Sequence, residues 1–181
     1  MLRGEKVILR PPERSDVPMF QRWINDREVN RWLITPWPMS LAEEERWYER
    51  ITSSSTDKIL VITTADGTPV GNLGLHRIDH RYRNAELGIA IFEKGYWGQG
   101  LGTDAITTFL RFAFDEWNLH RVTLVVREDN HRARRCYDKV GFVVEGVERE
   151  AQFSGGRFVN MVRMGILDRE FRARHGDSAE P

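Results

Sequence analysis

Alternating glycines mark the stretch Gly95-Tyr96-Trp97-Gly98-Gln99-Gly100-Leu101-Gly102-Thr103, which lies between a strand pattern and a long helix pattern. Residues without a β-carbon let backbone N–H groups converge on an anion, and the start of the helix adds the positive end of its dipole. Such a loop suits a phosphate or pyrophosphate. A Walker loop is disfavoured, because Gly102 is followed by Thr103 and Asp104 rather than Lys and Ser or Thr. A dinucleotide loop is disfavoured too, because the spacing is Gly98-x-Gly100-x-Gly102 and the loop follows an antiparallel hairpin pattern. Asp104 would repel a bound anion and is expected to face away from the loop. With no Lys or Arg between Lys94 and Arg111, backbone dipoles are expected to supply nearly all the positive potential. The arginines after Asn130 are the only nearby help.

Two further groups suit proton transfer. Glu86 shares a strand face with Gly88 and Ala90, small residues beside which an extended ligand can lie close to the backbone. A carboxylate there can draw in a cationic amine and act as its base, directly or through water; it is equally at home as a solvated or salt-bridged residue. In Asn130-x-x-Ala133-x-x-Cys136-Tyr137-Asp138-Lys139-x-Gly141-Phe142, Asn130 is a helix cap and Tyr137 falls on the inward stripe. Cys136 has no histidine partner in sequence and reads as a small helix-face residue rather than a nucleophile. Arg132, Arg134 and Arg135 form a basic face that can reach a phosphate or simply meet water.

The two motifs at this separation resemble the GNAT N-acetyltransferases, most closely their RimJ/RimL-type and spermidine-acetyltransferase branches, over nearly the whole chain. The family's loop pattern is Gln/Arg-x-x-Gly-x-Gly/Ala, and Trp97 stands here where Gln or Arg is usual. The resemblance implies acetyl-coenzyme A as co-substrate and no metal. It assigns Trp97, Gly98, Gln99, Gly100, Gly102 and Thr103 to the pyrophosphate, and Asn130 and Arg132 to the rest of the cofactor. Backbone groups of Ile89, Ala90 and Ile91 are expected along the pantetheine arm, with an N–H near Ala90 or Ile91 as oxyanion donor. Glu86 is then the base, and Tyr137 the acid that protonates the departing thiolate. The expected activity is direct acetyl transfer to a primary amine on a protein N-terminus, a polyamine or another small molecule. The alternative is a non-catalytic acyl-coenzyme A-binding or sensing module of the same fold.

The elements that must hold these residues are legible. Val7 to Arg10 predicts a strand stopped by two prolines, and Ser15 or Asp16 a cap for a helix carrying Val17, Phe20 and Ile24. Ser40-Leu41-Ala42-Glu43 is a capping box opening a helix to about Ile51. Strands at 59–63 and 70–75 flank Asp66-Gly67 as a hairpin, and a third covers 85–92. A helix over 102–117, a strand over 122–126 and the helix after Asn130 follow, and a hairpin turning at Ser154-Gly155-Gly156 closes the chain. These predict an α+β fold with α/β three-layer character. Its sheet is mixed but mostly antiparallel, about seven strands with one central parallel crossover and about four helices. Residues 1–168 read as one domain and 169–181 as a polar tail.

Composition narrows the partners. In 181 residues, 27 Lys+Arg balance 27 Asp+Glu, which disfavours nucleic acid, and no apolar run approaches a membrane span. A single cysteine, no metal-ligand spacing of His and no leader pattern favour the cytoplasm. Trp23, Trp32, Trp37 and Trp47 suit either helix packing or an acceptor pocket. Glu43-Glu44-Glu45 suits a cationic acceptor but reads more simply as a solvated helix face. The oligomeric state is open: the final hairpin offers an edge for pairing, and the resemblance makes a homodimer one option.

Overall fold

The computed structural model describes residues 1–33 and 38–176. Eight strands form one sheet: β1 (Leu2–Arg3), β2 (Val7–Arg10), β3 (Lys58–Thr64), β4 (Pro69–Asp79), β5 (Asn84–Ile91), β6 (Arg121–Arg127), β7 (Val143–Ser154) and β8 (Arg157–Leu167). They lie in the order β1-β2-β3-β4-β5-β6-β8-β7, antiparallel throughout except for β5 and β6. Among the described residues there are six α-helices: α1 (Val17–Ile24), α2 (Arg27–Asn30), α3 (Leu41–Ser53), α4 (Leu101–Asp115), α5 (His131–Val140) and α6 (Asp168–His175). The α+β class and the lone parallel crossover are as expected. The strand count rises from seven to eight through the short β1.

The helix count rises from four to six for two physical reasons. Asp26 caps α2 by accepting from the Glu28 N–H, which makes a one-turn helix in a stretch to which the sequence pattern assigns no element. In the stretch expected to be a polar tail, α6 forms because one apolar residue, Phe171, reaches the core at 2% exposure. Asp16 stands at the N-cap of α1 as expected, but its side chain makes no cap bond there: it accepts from Arg10 Nη1 and Nη2 and from the Glu13 N–H, and Trp23, not Ile24, is the third buried residue of that helix.

Two cores sandwich the sheet. The larger joins α4, α5 and α6 to one side through Ile106, Phe109, Leu110, Val140 and Phe171. The smaller joins α1 and α2 through Phe20, Trp23 and Val29 to Val61 and Phe92. Trp23 stacks on Phe92 with ring centres 5.1 Å apart, so this tryptophan is helix packing. Trp37 lies outside the described residues. Among the described residues no helix is long and apolar enough to cross a membrane.

Candidate active site

A wedge between two parallel strands makes the site. Pairing of β5 with β6 runs only from Asn84–Arg121 to Glu86–Thr123, yet β5 continues to Ile91 and β6 to Arg127. Beyond Glu86 the facing edges of β5 and β6 therefore have no ladder, and backbone groups of β5 are left to bind an extended ligand instead. The resulting cleft has a volume of about 1130 Å³ and is lined by Ile89, Ala90 and Ile91 on one wall and by Asn130, Ala133 and Tyr137 on another. That is room for a large cofactor together with an acceptor.

The glycine loop closes one end. Gly98 and Gly100 have φ of +79° and +84°, the left-handed region that a side chain disfavours, and Gly100 immediately precedes α4. Gly102 is different. It needs no positive φ, and a β-carbon there would meet Cys136 Sγ at an ordinary 3.6 Å. Gly98, Gly100, Gly102 and Thr103 line the cleft. The Gln99 side chain turns back to donate to the Gly95 carbonyl at 2.7 Å, which leaves its backbone as the part near the loop. Thr103 Oγ1 meets Cys136 Sγ at 3.3 Å, and burial pushes that thiol up, which suits a packed residue and not a nucleophile.

The loop's charge comes from elsewhere in the chain. Asp104 does face away: its carboxylate accepts the N–H groups of Glu5, Lys6 and Val7 at 3.1, 2.8 and 3.0 Å. That grip on the β1–β2 turn brings Lys6 over the glycines, where Nζ donates to the Gln99 carbonyl at 3.0 Å. The expectation that only the arginines after Asn130 could help is thus corrected, and no local signal at residue 6 announced it. Lys94 is spent on Asp26 and Glu28 at 3.1 and 2.9 Å. Arg132 stacks on the Trp97 ring, and Trp97 Nε1 donates to the Ile91 carbonyl at 2.7 Å.

Tyr137 sits deep in the cleft at 8% exposure, on the face of α5 that the Asn130 cap orients by accepting the Ala133 N–H at 3.2 Å. Burial, and secondarily Cys136, raise its pKa well above the ordinary phenol value, so it stays a proton donor. Among the described residues its hydroxyl makes no hydrogen bond, which leaves it free for a ligand atom.

At the other end, Glu86 lines the cleft and accepts from Arg77 Nη1 at 3.1 Å. The acidic run of α3 divides: Glu43 completes the capping box with Ser40, Glu45 is exposed, and Glu44 is only 5% exposed against the cleft. Glu44 is therefore no solvated residue, and burial, followed by its neighbour Glu43, pushes its pKa up. Trp32 and Trp47 line the same end, and Gln152 Oε1 is buried there without a hydrogen-bond partner among the described residues.

Comparison with known proteins decides the family. Residues 6–143 match the acetyltransferase (GNAT) domain model. The chain belongs to the GNAT acetyltransferase family. It is 31% identical over 176 residues to the spermidine N(1)-acetyltransferase of Escherichia coli (strain K12), covering 97% of this chain and 93% of that one. It is 32% identical to the putative ribosomal N-acetyltransferase YdaF of Bacillus subtilis (strain 168), covering 93% and 94%. A crystal structure of the Vibrio cholerae spermidine N-acetyltransferase, in complex with CoA and spermine, superposes with a TM-score of 0.86 at 28% identity over 91% of this chain and 97% of that one. This GNAT protein is an acetyl-coenzyme A-dependent N-acetyltransferase, and the comparisons lend nothing to the non-catalytic alternative. The cofactor fits the residues present: an unladdered strand edge for an amide-bearing arm, and a glycine loop with Lys6 and Arg132 for phosphates. Acetyl-coenzyme A supplies the activated acetyl group as a thioester.

Proposed function

We propose that this enzyme acetylates a primary amine of a small polycation of the polyamine class. The observation that carries the reading is Glu44, a nearly buried carboxylate against the acceptor end of the cleft. Among the described residues it has no hydrogen-bond or ion-pair partner. An uncompensated carboxylate is costly to bury and is stabilised once a cation lies beside it. Glu86 and the unpartnered Gln152 carbonyl add acceptor atoms for ammonium groups. Two of the relatives named above are spermidine acetyltransferases, which supports the same class.

In this reading Ile89, Ala90 and Ile91 align the pantetheine arm, and Gly98, Gly100, Gly102, Thr103, Asn130 and Arg132 hold the rest of the cofactor. Trp97 supports Arg132, and Gln99 acts through its backbone. Glu86 draws the ammonium group in and relieves it of its proton, directly or through water. Tyr137 protonates the departing thiolate. The exposed apolar side chains Val143, Val147, Phe153 and Phe158 of the last hairpin support pairing with a second copy, which sedimentation measures. The half-buried free thiol of Cys136 supports residence in the reducing cytoplasm.

The test is an acceptor screen that detects free coenzyme A thiol with spermidine, spermine, amino acids, aminoglycosides and ribosomal-protein N-terminal peptides. Polyamines are expected to lead, and Glu44→Gln to raise their KM about tenfold or more with unchanged coenzyme A affinity. Turnover on peptide N-termini alone would replace this reading with protein acetylation.

A further inference from the structure

The acceptor end of the cleft holds a histidine besides Glu86. His76 lies on β4 directly across from Glu86 on β5, so the two side chains share one face of the sheet. Its Nδ1 is 2.9 Å from Asp57 Oδ1. Asp57 is itself held by the Ser54 hydroxyl at 2.9 Å, and its N–H donates back to the same oxygen at 2.9 Å. Burial alone would raise the Asp57 pKa, but the hydrogen bonds from Ser54 and His76 outweigh it and keep the carboxylate ionised. An ionised carboxylate on Nδ1 fixes the proton there and turns Nε2 into the free lone pair, as in any carboxylate–imidazole dyad. Among the described residues Nε2 has no hydrogen-bond partner. It projects over Gly88, where a β-carbon would come within 3.2 Å of it, and His76 lines the cleft.

The backbone is built around this pair. Regular pairing of β4 with β5 breaks immediately after His76–Glu86, and Arg77 takes φ of +52°, a conformation uncommon for a side chain of its size. That irregularity lets Arg77 reach Glu86, so the carboxylate across from the imidazole has an exposed cation beside it. The other charged groups near His76 are Lys58 on β3, whose Nζ is turned to the Ser54 carbonyl, and Glu43, Glu44, Arg46 and Arg50 on α3 across the cleft. None of them is bonded to Nε2.

We propose that His76, oriented by Asp57, is a proton acceptor of the transfer reaction, working beside Glu86. This rests on reading the α3 side of the cleft as the acceptor site. An alkyl ammonium has an ordinary pKa near 10.4 and gives up its proton more readily to an imidazole than to a carboxylate, because the imidazole is the intrinsically stronger base. The ammonium N–H breaks and its proton goes to Nε2, directly or through Glu86 or one water. The freed nitrogen lone pair forms the bond to the acetyl carbon as the carbon–sulfur bond breaks; the thiolate takes the Tyr137 proton, and the second proton that the nitrogen sheds in becoming an amide returns through water to the Tyr137 phenolate. The imidazolium, on a side chain 40% exposed, then returns its proton to solvent.

The experiment compares wild type with His76→Asn, Asp57→Asn and His76→Ala using spermidine and acetyl-coenzyme A from pH 6 to 10. Asn at 76 keeps a donor for Asp57 and removes the base, so its melting temperature is expected to stay near wild type. Its kcat/KM is expected to fall about 10²-fold at pH 7. That loss shrinks toward pH 10, where a growing fraction of the amine is already neutral. Added imidazole should restore turnover to His76→Ala, a response that a purely structural histidine would not give. Independently of turnover, nitrogen NMR should find the Nδ1–H tautomer in wild type and its loss in Asp57→Asn. A His76→Asn enzyme within about threefold of wild type across the range, or no rescue by imidazole, overturns the assignment of His76 alone. A wild type that binds acetyl-coenzyme A but acetylates no amine overturns the reading of the acceptor site and this inference with it.

Discussion

The guanidinium carbon of Arg132 lies 3.6 Å from the centre of the Trp97 ring. The residue that departs from the family's loop pattern thus carries a cation supplied by another helix. The indole face attracts the guanidinium, and Nε1 ties the ring to the end of β5 through the Ile91 carbonyl. Burial pushes the Arg132 pKa down, while Glu28 works the other way. The residue as a whole is exposed and lines the cleft, so an arriving phosphate meets a guanidinium that the indole already holds in place.

Arg132→Ala is expected to weaken coenzyme A binding about 10- to 100-fold, the range for a lost charge-assisted hydrogen bond of roughly 1.5–3 kcal/mol. Trp97→Ala should lose part of the same affinity by releasing the guanidinium. Calorimetric titration of coenzyme A checks both, and lost affinity should come with a weaker dependence on salt. An Arg132→Ala affinity equal to wild type would show that the stack serves packing alone.

Lys6 depends on Asp104 in the same indirect way. Because the Asp104 carboxylate holds three successive N–H groups at the start of β2, its removal should both destabilise the fold and loosen Lys6. Asp104→Ala is expected to cost about 1 kcal/mol in denaturant unfolding, since of the three donors it releases only the Val7 N–H is partly buried. Lys6→Met should leave stability nearly unchanged and weaken coenzyme A several-fold. Lys94→Met should not, since its ammonium is held by Asp26 and Glu28. Equal losses for Lys6 and Lys94 would contradict the placement of the loop's charge.

The loop glycines separate by backbone geometry. Gly100→Ala forces a side chain into φ of +84° at the start of α4 and is expected to cost about 1–2 kcal/mol along with most of the coenzyme A affinity. At Gly102 an added methyl meets only ordinary contacts. The Ala variant there should fold as stably as wild type, or more so. Chemical denaturation paired with titration distinguishes the two sites, and an unstable Gly102→Ala would refute the distinction.

What could be read from the sequence was set by short-range rules. The capping box at Ser40 and Glu43 and the Asn130 cap each fix a helix start within four residues, and both stand where expected. The glycine loop and the Tyr137 face followed from the same local logic. Lys6 did not, because its partner Gln99 is 93 residues away and the contact exists only once β2 lies against α4. His76 escaped because the strand pattern ended at Leu75, while β4 runs on to Asp79. Glu44 was taken for a solvated residue because periodicity cannot say which of three successive acids a docked helix turns inward. For α6, one buried phenylalanine in a polar stretch was too faint a signal.

Tyr137 gives the sharpest kinetic expectation. Its hydroxyl is buried in the cleft, keeps its proton well past the ordinary phenol range and has no hydrogen-bond partner among the described residues. A phenol so placed donates to a developing thiolate without first giving up another bond. Tyr137→Phe is expected to lower kcat by about 10²–10⁴ with coenzyme A affinity within a few-fold of wild type, as for loss of general acid catalysis. Because the folded pKa is raised, the protonated phenol persists through pH 10, so the wild-type rate should not fall on that side through Tyr137. A stopped-flow measurement of the chemical step across pH 7 to 10 checks this. A descending limb near pH 9 that vanishes in Tyr137→Phe would mean that the phenol ionises in the working range and that burial does not protect it.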